Sequence, residues 1–410
     1  MIAGVSDIEV RQVRESEHRA TIELFGQAIH RPPLTDAVWA GVAGSFEQGR
    51  TLGAFAGGRM VGTALAWSSD LVVPGGRRVP MAAVTRVAVR TDFRRRGTLR
   101  ELMRAQLADF AARGEPLAAL RASEPGIYGR FGYGEATRTA TLTLRSADVA
   151  LRPEVPDEGE VRLLDSAPLA AALEISPLLS DIHARVGRGR VGTIARPAEW
   201  WPTSYDVMYR LGEGLSVAVH RGSGGDDGFV AYRVTRPGHG HESVLEVQDL
   251  VAATPAVAAA LWRFVLGVDL VDTVRALFRP VDEPVAAMLV DPRAVTKAVT
   301  HGDLWVRLVD VPAALAARCY GAGSVVVEVE DAFLPGNSGR YRVGADGAVR
   351  TGDAPELAMD VDVLGMLYLG GWAPSVLAGI GRVRELVPGA AERADTVFTV
   401  PVKPWSGTRY

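Results

Sequence analysis

The sequence of 410 residues predicts an α/β and α+β protein, built from two tandem mixed-sheet domains and a third, α+β domain. Short segments with alternating apolar residues, typical of strands, are interleaved with segments whose apolar residues recur at helical spacing. The order strand, short turn, amphipathic helix, strand occurs at 81–122 and again at 243–280. The last part of the chain instead begins with a helix that precedes its strands. We therefore expect domains at 1–148, 149–298 and 299–410.

The first domain is predicted to contain several strands, a hairpin turn and one long helix. Val87 and Val89 alternate at the end of a strand, and a helical pattern follows Gly97. The apolar residues of that helix are Leu99, Leu102, Met103, Leu107 and Phe110. The predicted strands are IEVRQV (8–13), TLGAFA (51–56), VGTALAWS (61–68), MAAVTRVAV (81–89) and LAALRAS (117–123), with a GGR turn at 57–59. The proline-rich, acidic stretch 152–160 is predicted to link the first two domains.

The second domain repeats the strand-helix-strand plan of the first but differs at the turn. Where the first copy has RRRG at 94–97, the second has ATPAVAAA at 253–260, without a glycine or a positive charge. We infer a duplicated fold whose second copy has no phosphate site. RGSGGDDG at 221–228 is predicted to be a hairpin turn. VGRGRVG at 186–192 is predicted to be a mobile loop, with contact to a polyanion as the alternative.

The third domain is predicted to contain helices on a short sheet, followed by an extended tail. The predicted helices are VPAALAARCY (311–320) and APSVLAGIGRVREL (373–386); the predicted strands are SVVVEVED (324–331), the hairpin GRYRVGADGAVR (339–350) and TVFTV (396–400). The prolines of PVKPWSGTRY, 401–410, forbid a helix. A disordered tail is the simpler interpretation, but Trp405 and Tyr410 favour a docked one.

Composition and charge exclude several functional classes. A formal net charge of −3 argues against a nucleic-acid-binding surface. No stretch approaches about 20 uninterrupted apolar residues, so no membrane span is expected. Residues 1–18 have polar and charged side chains where a signal peptide needs an apolar core, so a cytoplasmic location is expected. The single cysteine, Cys319, is predicted to be a small buried apolar residue and not a nucleophile.

Three arginines and a glycine lie between a predicted strand and a predicted helix, as Arg94, Arg95, Arg96 and Gly97. A helix start presents unpaired backbone N–H groups and the positive end of the helix dipole. Gly97 allows the backbone to approach a ligand closely. The turn therefore predicts a phosphate site, with a merely solvated arginine run as the alternative. The chain has neither GxxxxGK[ST] nor GxGxxG after a strand, which argues against nucleoside triphosphate and dinucleotide sites.

The pattern R-x-x-G-x-x after a strand resembles the pyrophosphate-binding motif of GNAT-type N-acetyltransferases. Leu99 occupies a position where that family usually has Gly or Ala. A second stretch, ASEPGIYGRFGYGEAT at 122–137, resembles the tyrosine-glycine-phenylalanine element that these enzymes place beside the thioester sulfur. SEPGIYGRFGYG, the RRRG turn upstream, the chain length and the aromatic C-terminal residue together resemble the Eis (enhanced intracellular survival) family.

The resemblance implies two tandem GNAT-like mixed-sheet domains followed by a sterol carrier protein-like α+β domain, assembled as a homo-hexamer. It implies acetyl-CoA as co-substrate, no metal, and an acceptor amine on an aminoglycoside-like small molecule or a lysine side chain. A rival hypothesis is a lipid- or acyl-CoA-binding protein with an inactive GNAT half. HGH at 239–241 has no third ligand nearby, so no zinc site is expected.

Acetyl transfer needs a neutral amine, stabilisation of an oxyanion and a proton for the thiolate. Tyr128 is predicted to be the general acid, with packing under the glycine turn as the alternative. The resemblance implies that the C-terminal carboxylate, here that of Tyr410, is the base; Glu124 is a second candidate but is expected to cap a short helix. The predicted cofactor-binding residues are Val87, Ala88, Val89, Arg94, Arg95, Arg96, Gly97, Thr98 and Leu99.

The acceptor pocket is predicted to include Thr85, Arg86, Arg121, Trp200 and Trp201. The two tryptophans are alternatively core residues. Arg86, Arg121 and Arg409 would repel a polycation if two of them face the pocket. We therefore expect weak activity on aminoglycosides and better use of less charged or partly anionic amines.

Overall fold

The computed structural model of the chain describes residues 8–164, 169–206, 215–236 and 242–410. The elements up to residue 145 are β1 (Glu9–Gln12), α1 (His18–Ala28), α2 (Asp36–Val42), β2 (Thr51–Ala56), β3 (Arg59–Val72), β4 (Arg78–Val89), α3 (Thr98–Ala112), β5 (Leu117–Leu120), α4 (Pro125–Tyr128), β6 (Gly134–Glu135) and β7 (Arg138–Arg145). The next elements are β8 (Glu160–Leu163), α5 (Leu169–Val186), β9 (Ser216–Gly222), β10 (Gly225–Thr235), β11 (Val244–Ala252), α6 (Pro255–Leu266), β12 (Thr273–Pro280), α7 (Val285–Met288) and β13 (Val295–Gly302). The last are β14 (Trp305–Leu308), α8 (Val311–Ala317), β15 (Ser324–Glu330), β16 (Gly339–Gly344), β17 (Gly347–Arg350), β18 (Leu357–Asp360), α9 (Val361–Leu367), α10 (Pro374–Gly379), β19 (Arg384–Glu385) and α11 (Ala390–Phe398).

Three sheets organise these elements. The first has the order β1-β2-β3-β4-β5-β14-β6, the second β13-β7-β12-β11-β10-β9-β8, and the third β17-β16-β15-β18-β19. Strands β4 and β5 are parallel and joined by α3, and strands β11 and β12 are parallel and joined by α6. The predicted fold class is confirmed, and the duplicated strand-helix-strand unit lies at equivalent places in the first two sheets.

Two strands cross from one predicted domain into the sheet of another. Strand β7 precedes residue 148 but pairs with β12 and β13 in the second sheet. Strand β14 follows residue 298 but pairs with β5 and β6 in the first sheet. Sheet membership therefore does not follow the predicted boundaries, because strand pairing over long sequence separation leaves no local signal.

Helix α3 packs on the first sheet through one apolar face. Its buried side chains recur three or four residues apart, as the sequence pattern predicts for an amphipathic helix. They include Leu102, Met103, Leu107 and Phe110. Gly62 on β3 lets the helix approach closely, since a Cβ there would lie 3.0 Å from a Leu102 methyl carbon and 3.2 Å from the Thr98 methyl. This packing holds the start of α3 next to the end of β4.

Two predictions for the third domain are wrong. TVFTV at 396–400 is not a strand, because α11 extends through Phe398 and buries Ala390, Ala391, Ala394, Val397 and Phe398 at helical spacing. The β-branched residues of this short segment resemble those of a strand, but the helical spacing of the buried residues over Ala390–Phe398 determines the structure. The helix predicted at 373–386 ends at Gly379 and is followed by β19.

Cys319 is exposed, contrary to the prediction. Helix α8 ends at Ala317, three residues before the end of the predicted helix at Tyr320. The helical period therefore no longer sets the orientation of Cys319, whose backbone amide donates to the carbonyl oxygen of Pro74. Within the described part of the chain, no helix has both the length and the apolar character that a membrane span requires.

The C-terminal tail is extended and docked. The Trp405 amide donates to the Val191 carbonyl oxygen over 2.9 Å, and the Trp405 indole donates to the Phe278 carbonyl oxygen over 2.9 Å. The loop at 186–192 is equally well anchored, because Arg188 pairs with Asp70 and Arg190 pairs with Asp282. The segment predicted to be a mobile loop is therefore an ordered connection that contacts the first two sheets and the tail.

Candidate active site

The candidate site begins where β4 and β5 separate. The strands pair in parallel from Met81 and Leu117 as far as Val84 and Leu120. Strand β4 then continues to Val89, while the chain after β5 turns towards α4. We call the wedge between the two diverging ends the strand gap. Splayed parallel strands leave backbone groups on β4 without a strand partner, and these groups can bind an extended ligand.

A bulge in β4 lies at the start of the strand gap. The register with β3 shifts between Thr63 and Leu65, so that two residues of β4 oppose Ala64. Arg86, one of these two, has a φ of 51°, in the left-handed region that non-glycine residues rarely adopt. Beyond the bulge, the Arg90 amide donates to the Val61 carbonyl oxygen on β3. Because amide directions alternate along a strand, the Val89 amide points towards the strand gap.

The predicted phosphate turn lies at the end of β4. Helix α3 begins at Thr98, and Gly97 precedes it with a φ of 84° and no side-chain cap. The Thr98 hydroxyl is directed back to the Phe93 carbonyl oxygen, 3.4 Å away, and does not cap the helix. The amides of Thr98 and Leu99 are therefore open at the positive end of a 15-residue helix. Their arrangement suits a diphosphate.

The three arginines of this turn are exposed, and none forms an ion pair with any described residue. The Arg96 guanidinium lies 5.0 Å from the centre of the Phe93 ring. The neighbouring Arg90 and Arg104 differ, because they pair with Asp92 and Glu101. The positive charge at 94–96 therefore remains available to an anionic ligand.

The equivalent turn in the second sheet cannot bind a diphosphate in the same way. The Thr254 hydroxyl caps α6 by accepting from the Val257 amide over 3.2 Å. The Arg279 guanidinium bridges the gap between β11 and β12 by donating to the Leu250 carbonyl oxygen over 3.0 Å. The Trp405 ring packs on that guanidinium at 5.1 Å. The Thr254 cap, the Arg279 side chain and the tail thus occupy the places in the second sheet that correspond to the phosphate turn and the strand gap of the first.

Tyr128 ends α4, directly beyond the strand gap. Its ring meets that of Tyr133 edge-on, with centroids 6.0 Å apart. Burial raises the pKa of the Tyr128 phenol to about 12. Its hydroxyl has no hydrogen-bond partner among the described residues, and the hydroxyl of Tyr133 is buried without one. Tyr128 is therefore protonated at neutral pH and free to donate to a ligand.

Glu124 occupies the N-cap position of α4, but its side chain makes no capping hydrogen bond. Its backbone carbonyl oxygen accepts from the Ile127 amide over 3.1 Å. The carboxylate is exposed to solvent. The expectation that this side chain caps the helix is wrong, because the short helix closes on the backbone alone.

A cavity of about 1150 Å³ lies between the first two sheets and reaches the strand gap at Thr85 and Ser123. The predicted pocket residues Thr85, Arg86 and Trp200 line it. Arg409 and Tyr410, the last two residues, form part of the same wall. Helix α1 and the segment after it supply much of the apolar lining, which includes Phe25, Ile29, Pro32 and Leu34.

Arg121 and Trp201 do not line the cavity, contrary to the prediction. The Arg121 guanidinium pairs with the buried carboxylate of Asp303 and lies 4.7 Å from the Phe278 ring centre. Trp201 is buried behind Trp200, with ring centroids 4.9 Å apart. Both residues support the cavity wall from behind.

Two residues that the sequence did not single out, Arg196 and Asp303, hold the tail at the cavity. Arg196 donates to the Thr408 hydroxyl and the Gly407 carbonyl oxygen, and pairs with Asp249 over 2.5 Å. Asp303 accepts from the Ser406 amide and from the Thr137 hydroxyl. These partners are far apart along the chain, so no local pattern could have revealed them.

Tyr410 is placed by the residue before it. The Arg409 carbonyl oxygen accepts from the Trp200 indole, and the Arg409 guanidinium donates to the Gln248 side chain over 2.9 Å. The Tyr410 ring lies 6.5 Å from the Trp67 ring, its hydroxyl is buried without a described partner, and burial raises the hydroxyl pKa. The chain end is thus held at the cavity wall.

His239 and His241 lie outside the described residues. Among the residues that the structure does describe, no group of three or more His, Cys, Asp or Glu side chains is arranged to hold a metal ion.

Family models match all three parts of the chain. Two models described as "Acetyltransferase (GNAT) domain" match residues 9–136 and 192–308. A model described as "Sterol carrier protein domain" matches residues 311–407. The second match extends through β14, which lies in the first sheet.

Individual relatives cover nearly the whole chain. An uncharacterized N-acetyltransferase of Streptomyces avermitilis is 41% identical over 366 residues, which are 87% of this chain and 88% of that protein. N-acetyltransferase Eis of Mycobacterium tuberculosis is 34% identical over 375 residues, 86% of each chain. The crystal structure of Eis1 from Mycobacterium abscessus superposes with a TM-score of 0.85 at 36% identity, covering 98% of this chain and 100% of that one.

Proposed function

The chain belongs to the Eis family of GNAT-type N-acetyltransferases, and we propose that it transfers the acetyl group of acetyl-CoA directly to an amine of a small molecule or a lysine side chain. The observation that carries this proposal is the position of the strand gap. The gap joins the open, arginine-flanked start of α3 to the cavity that ends at Tyr410. A cofactor and an acceptor could thus meet from opposite sides.

The residues present fit acetyl-CoA. The amides of Thr98 and Leu99, with Arg94, Arg95, Arg96 and Gly97 around them, would hold the diphosphate. Backbone groups of Val87 and Val89 would hold the pantetheine arm and the thioester oxygen in the strand gap, whereas the Ala88 amide, two residues before that of Arg90, points to β3. Bound there, acetyl-CoA supplies the acetyl carbon that the amine attacks and the thiolate that leaves.

Tyr128 would act on the leaving thiolate. Ordinary phenol and thiol pKa values, about 10 and about 8.5, are close enough for proton sharing. Burial widens this difference by raising the phenol pKa to about 12. The hydroxyl therefore stabilises the thiolate mainly through a hydrogen bond that strengthens as the carbon–sulfur bond breaks. The same shift keeps Tyr128 protonated over the usual assay range.

The terminal carboxylate of Tyr410 would accept the proton that the amine loses. An ordinary α-carboxyl pKa of about 3.5 makes it a weak base, so it must work through its position or through a water molecule. The anchors at Gly407, Thr408 and Arg409 support such a position. Glu124, exposed and outside the cavity lining, suits the role less well.

We further infer a homo-hexamer in a cytoplasmic location. The third domain exposes apolar side chains that a partner subunit could cover, among them Val349, Val376 and Ile380. The rival lipid-binding hypothesis gains little support, since the inward residues Val325, Val327 and Leu357 of the third sheet are fully buried in the protein's own core.

We expect one acetyl-CoA site per chain, because Thr254, Arg279 and Trp405 occupy the second turn. Arg94→Ala should weaken binding by roughly 1.5–3 kcal/mol, the usual worth of a charge-assisted hydrogen bond. Isothermal titration with acetyl-CoA measures both quantities. Arg104→Ala, on the exposed side of α3 and paired with Glu101, is the control.

A CoA-release assay with a panel of primary amines tests the function itself. Two equivalent sites per chain, or an unchanged affinity in Arg94→Ala, would disprove the assigned cofactor site. No amine-dependent release of CoA would disprove the proposed transfer.

A further inference from the structure

We propose that the acceptor amine carries a carboxylate, which the Arg86 guanidinium binds inside the cavity. This inference rests on the proposed acetyl transfer and specifies its substrate class. It follows from the charge, burial and position of Arg86, and from the way the other charged residues of the cavity are already occupied.

Within the described lining of the cavity, five arginines face two acidic side chains. Three of the arginines are engaged: Arg196 with Asp249, Arg233 with Glu246, and Arg409 with Gln248. The acidic lining residue Glu23 is itself paired with Arg19, 3.2 Å away. Only Arg31 and Arg86 have neither an ion pair nor a side-chain hydrogen bond with a described residue. Arg31 is exposed to solvent, whereas Arg86 is only partly exposed.

The guanidinium of Arg86 faces the cavity without an acidic partner among the described residues. Its Nη1 atom is buried without a hydrogen-bond partner. Its guanidinium carbon lies 5.4 Å from the centre of the Phe46 ring and 5.7 Å from that of the Trp67 ring. Burial, and to a smaller extent the charge of Arg31, lower its pKa to about 10, which still leaves it charged at neutral pH.

The unpaired Nη1 atom and the left-handed backbone of Arg86 both lower the stability of the fold. A buried, unpaired donor loses its hydration without compensation, and a left-handed backbone at a non-glycine residue is strained. The contacts with the two aromatic rings compensate only in part, because neither ring gives the Nη1 donor an oxygen acceptor and so none of the described contacts offsets these costs in full. A bound anion would, because it supplies the missing partner of the guanidinium.

The geometry favours a carboxylate on an otherwise apolar acceptor. A guanidinium presents a planar fork of donors that matches the two oxygens of a carboxylate. The surrounding wall is largely apolar, with Phe25, Ile29, Trp67 and Trp200. A polycation would instead meet the unpaired charges of Arg31 and Arg86 in a partly dehydrated site.

The position of Arg86 also limits the size of the acceptor. The residue lies in the bulge next to Val87, at the end of the cavity that meets the strand gap. An acceptor carboxylate on Arg86 therefore lies close to the site of transfer. Amine and carboxylate should be only a few bonds or one aromatic ring apart.

The test uses two acceptors that differ only in this group, 4-(aminomethyl)benzoate and 4-(aminomethyl)benzamide. Their amines have similar basicity, so kcat/KM from CoA release compares the carboxylate with a neutral amide directly. We expect the full-length wild type to prefer the benzoate by at least about tenfold, the effect of one charge-assisted contact. A polycationic aminoglycoside should be a poorer acceptor than either.

Arg86→Gln should lose the preference by slowing the benzoate and leaving the benzamide within about threefold. Arg86→Lys, which keeps the charge but not the fork, should retain a smaller preference. Arg185→Gln is the control, because Arg185 is a half-exposed helix residue paired with Asp181 outside the cavity. Thermal melting and acetyl-CoA affinity of each variant report on fold and cofactor binding.

The outcomes separate this inference from the function on which it rests. Equal use of benzoate and benzamide by the wild type, or a parallel loss of both in Arg86→Gln, would overturn carboxylate recognition while leaving acetyl transfer intact. Acceptor-independent release of CoA across the whole amine panel would instead remove the proposed function. A micromolar KM for a kanamycin-type acceptor would also contradict the inference.

Discussion

Replacing Tyr128 by Phe should leave acetyl-CoA affinity unchanged and lower kcat by about 10²–10³-fold, the usual loss for an absent general acid. The hydroxyl has no described partner in the protein, so its removal should not destabilise the fold. Since burial raises its pKa to about 12, loss of the Tyr128 proton should not reduce the wild-type rate below about pH 10. Steady-state kinetics across pH and acetyl-CoA titration measure these expectations.

Tyr133→Phe is the matched control for that experiment. It removes the hydroxyl of a neighbouring ring 6.0 Å away, which is buried and has no hydrogen-bond partner among the described residues. Its turnover should stay within about threefold of the wild type. If Tyr128→Phe turns over as fast as this control, Tyr128 has a packing role only.

A short C-terminal extension should lower kcat by about 100-fold or more, within the range of general-base catalysis. The extension converts the Tyr410 carboxylate into an amide, so it removes the charge and the basicity while every side chain remains. The anchors at Trp405, Ser406 and Arg409 are unaffected. Turnover of extended and native chains, with acetyl-CoA affinity measured in parallel, tests this.

The control for the extension is the same peptide added at the N-terminus, which should be harmless. Thermal stability should be equal in all three proteins, because the added residues bury little apolar surface. Full turnover and an unaltered pH profile in the C-terminally extended protein would exclude the terminal carboxylate as base. Glu124 or an ordered water would then be the next candidates.

The sequence alone was sufficient for those features that local patterns encode. Strands β2 to β5, helix α3 and the turn with Arg94 and Gly97 follow from apolar periodicity and from glycine at a strand-to-helix junction. The duplicated unit was visible for the same reason. The motif around Tyr128 and the aromatic chain end were enough to identify the family, which the comparisons confirm.

Only the tertiary structure decided which charged residues face the cavity. Arg86 and Arg121 look alike in the sequence, because each lies within a predicted strand, at 81–89 and at 117–123. Arg121 is neutralised by Asp303, 182 residues away, whereas the bulge in β4 leaves Arg86 without a partner. The exchange of β7 and β14 between sheets, and the filling of the second gap by Arg279 and Trp405, were equally hidden. Periodicity records how each segment contacts the core, but ion pairing and strand order depend on which distant segments meet. These long-range contacts are determined by the packing of the whole chain, so no short stretch of sequence predicts them.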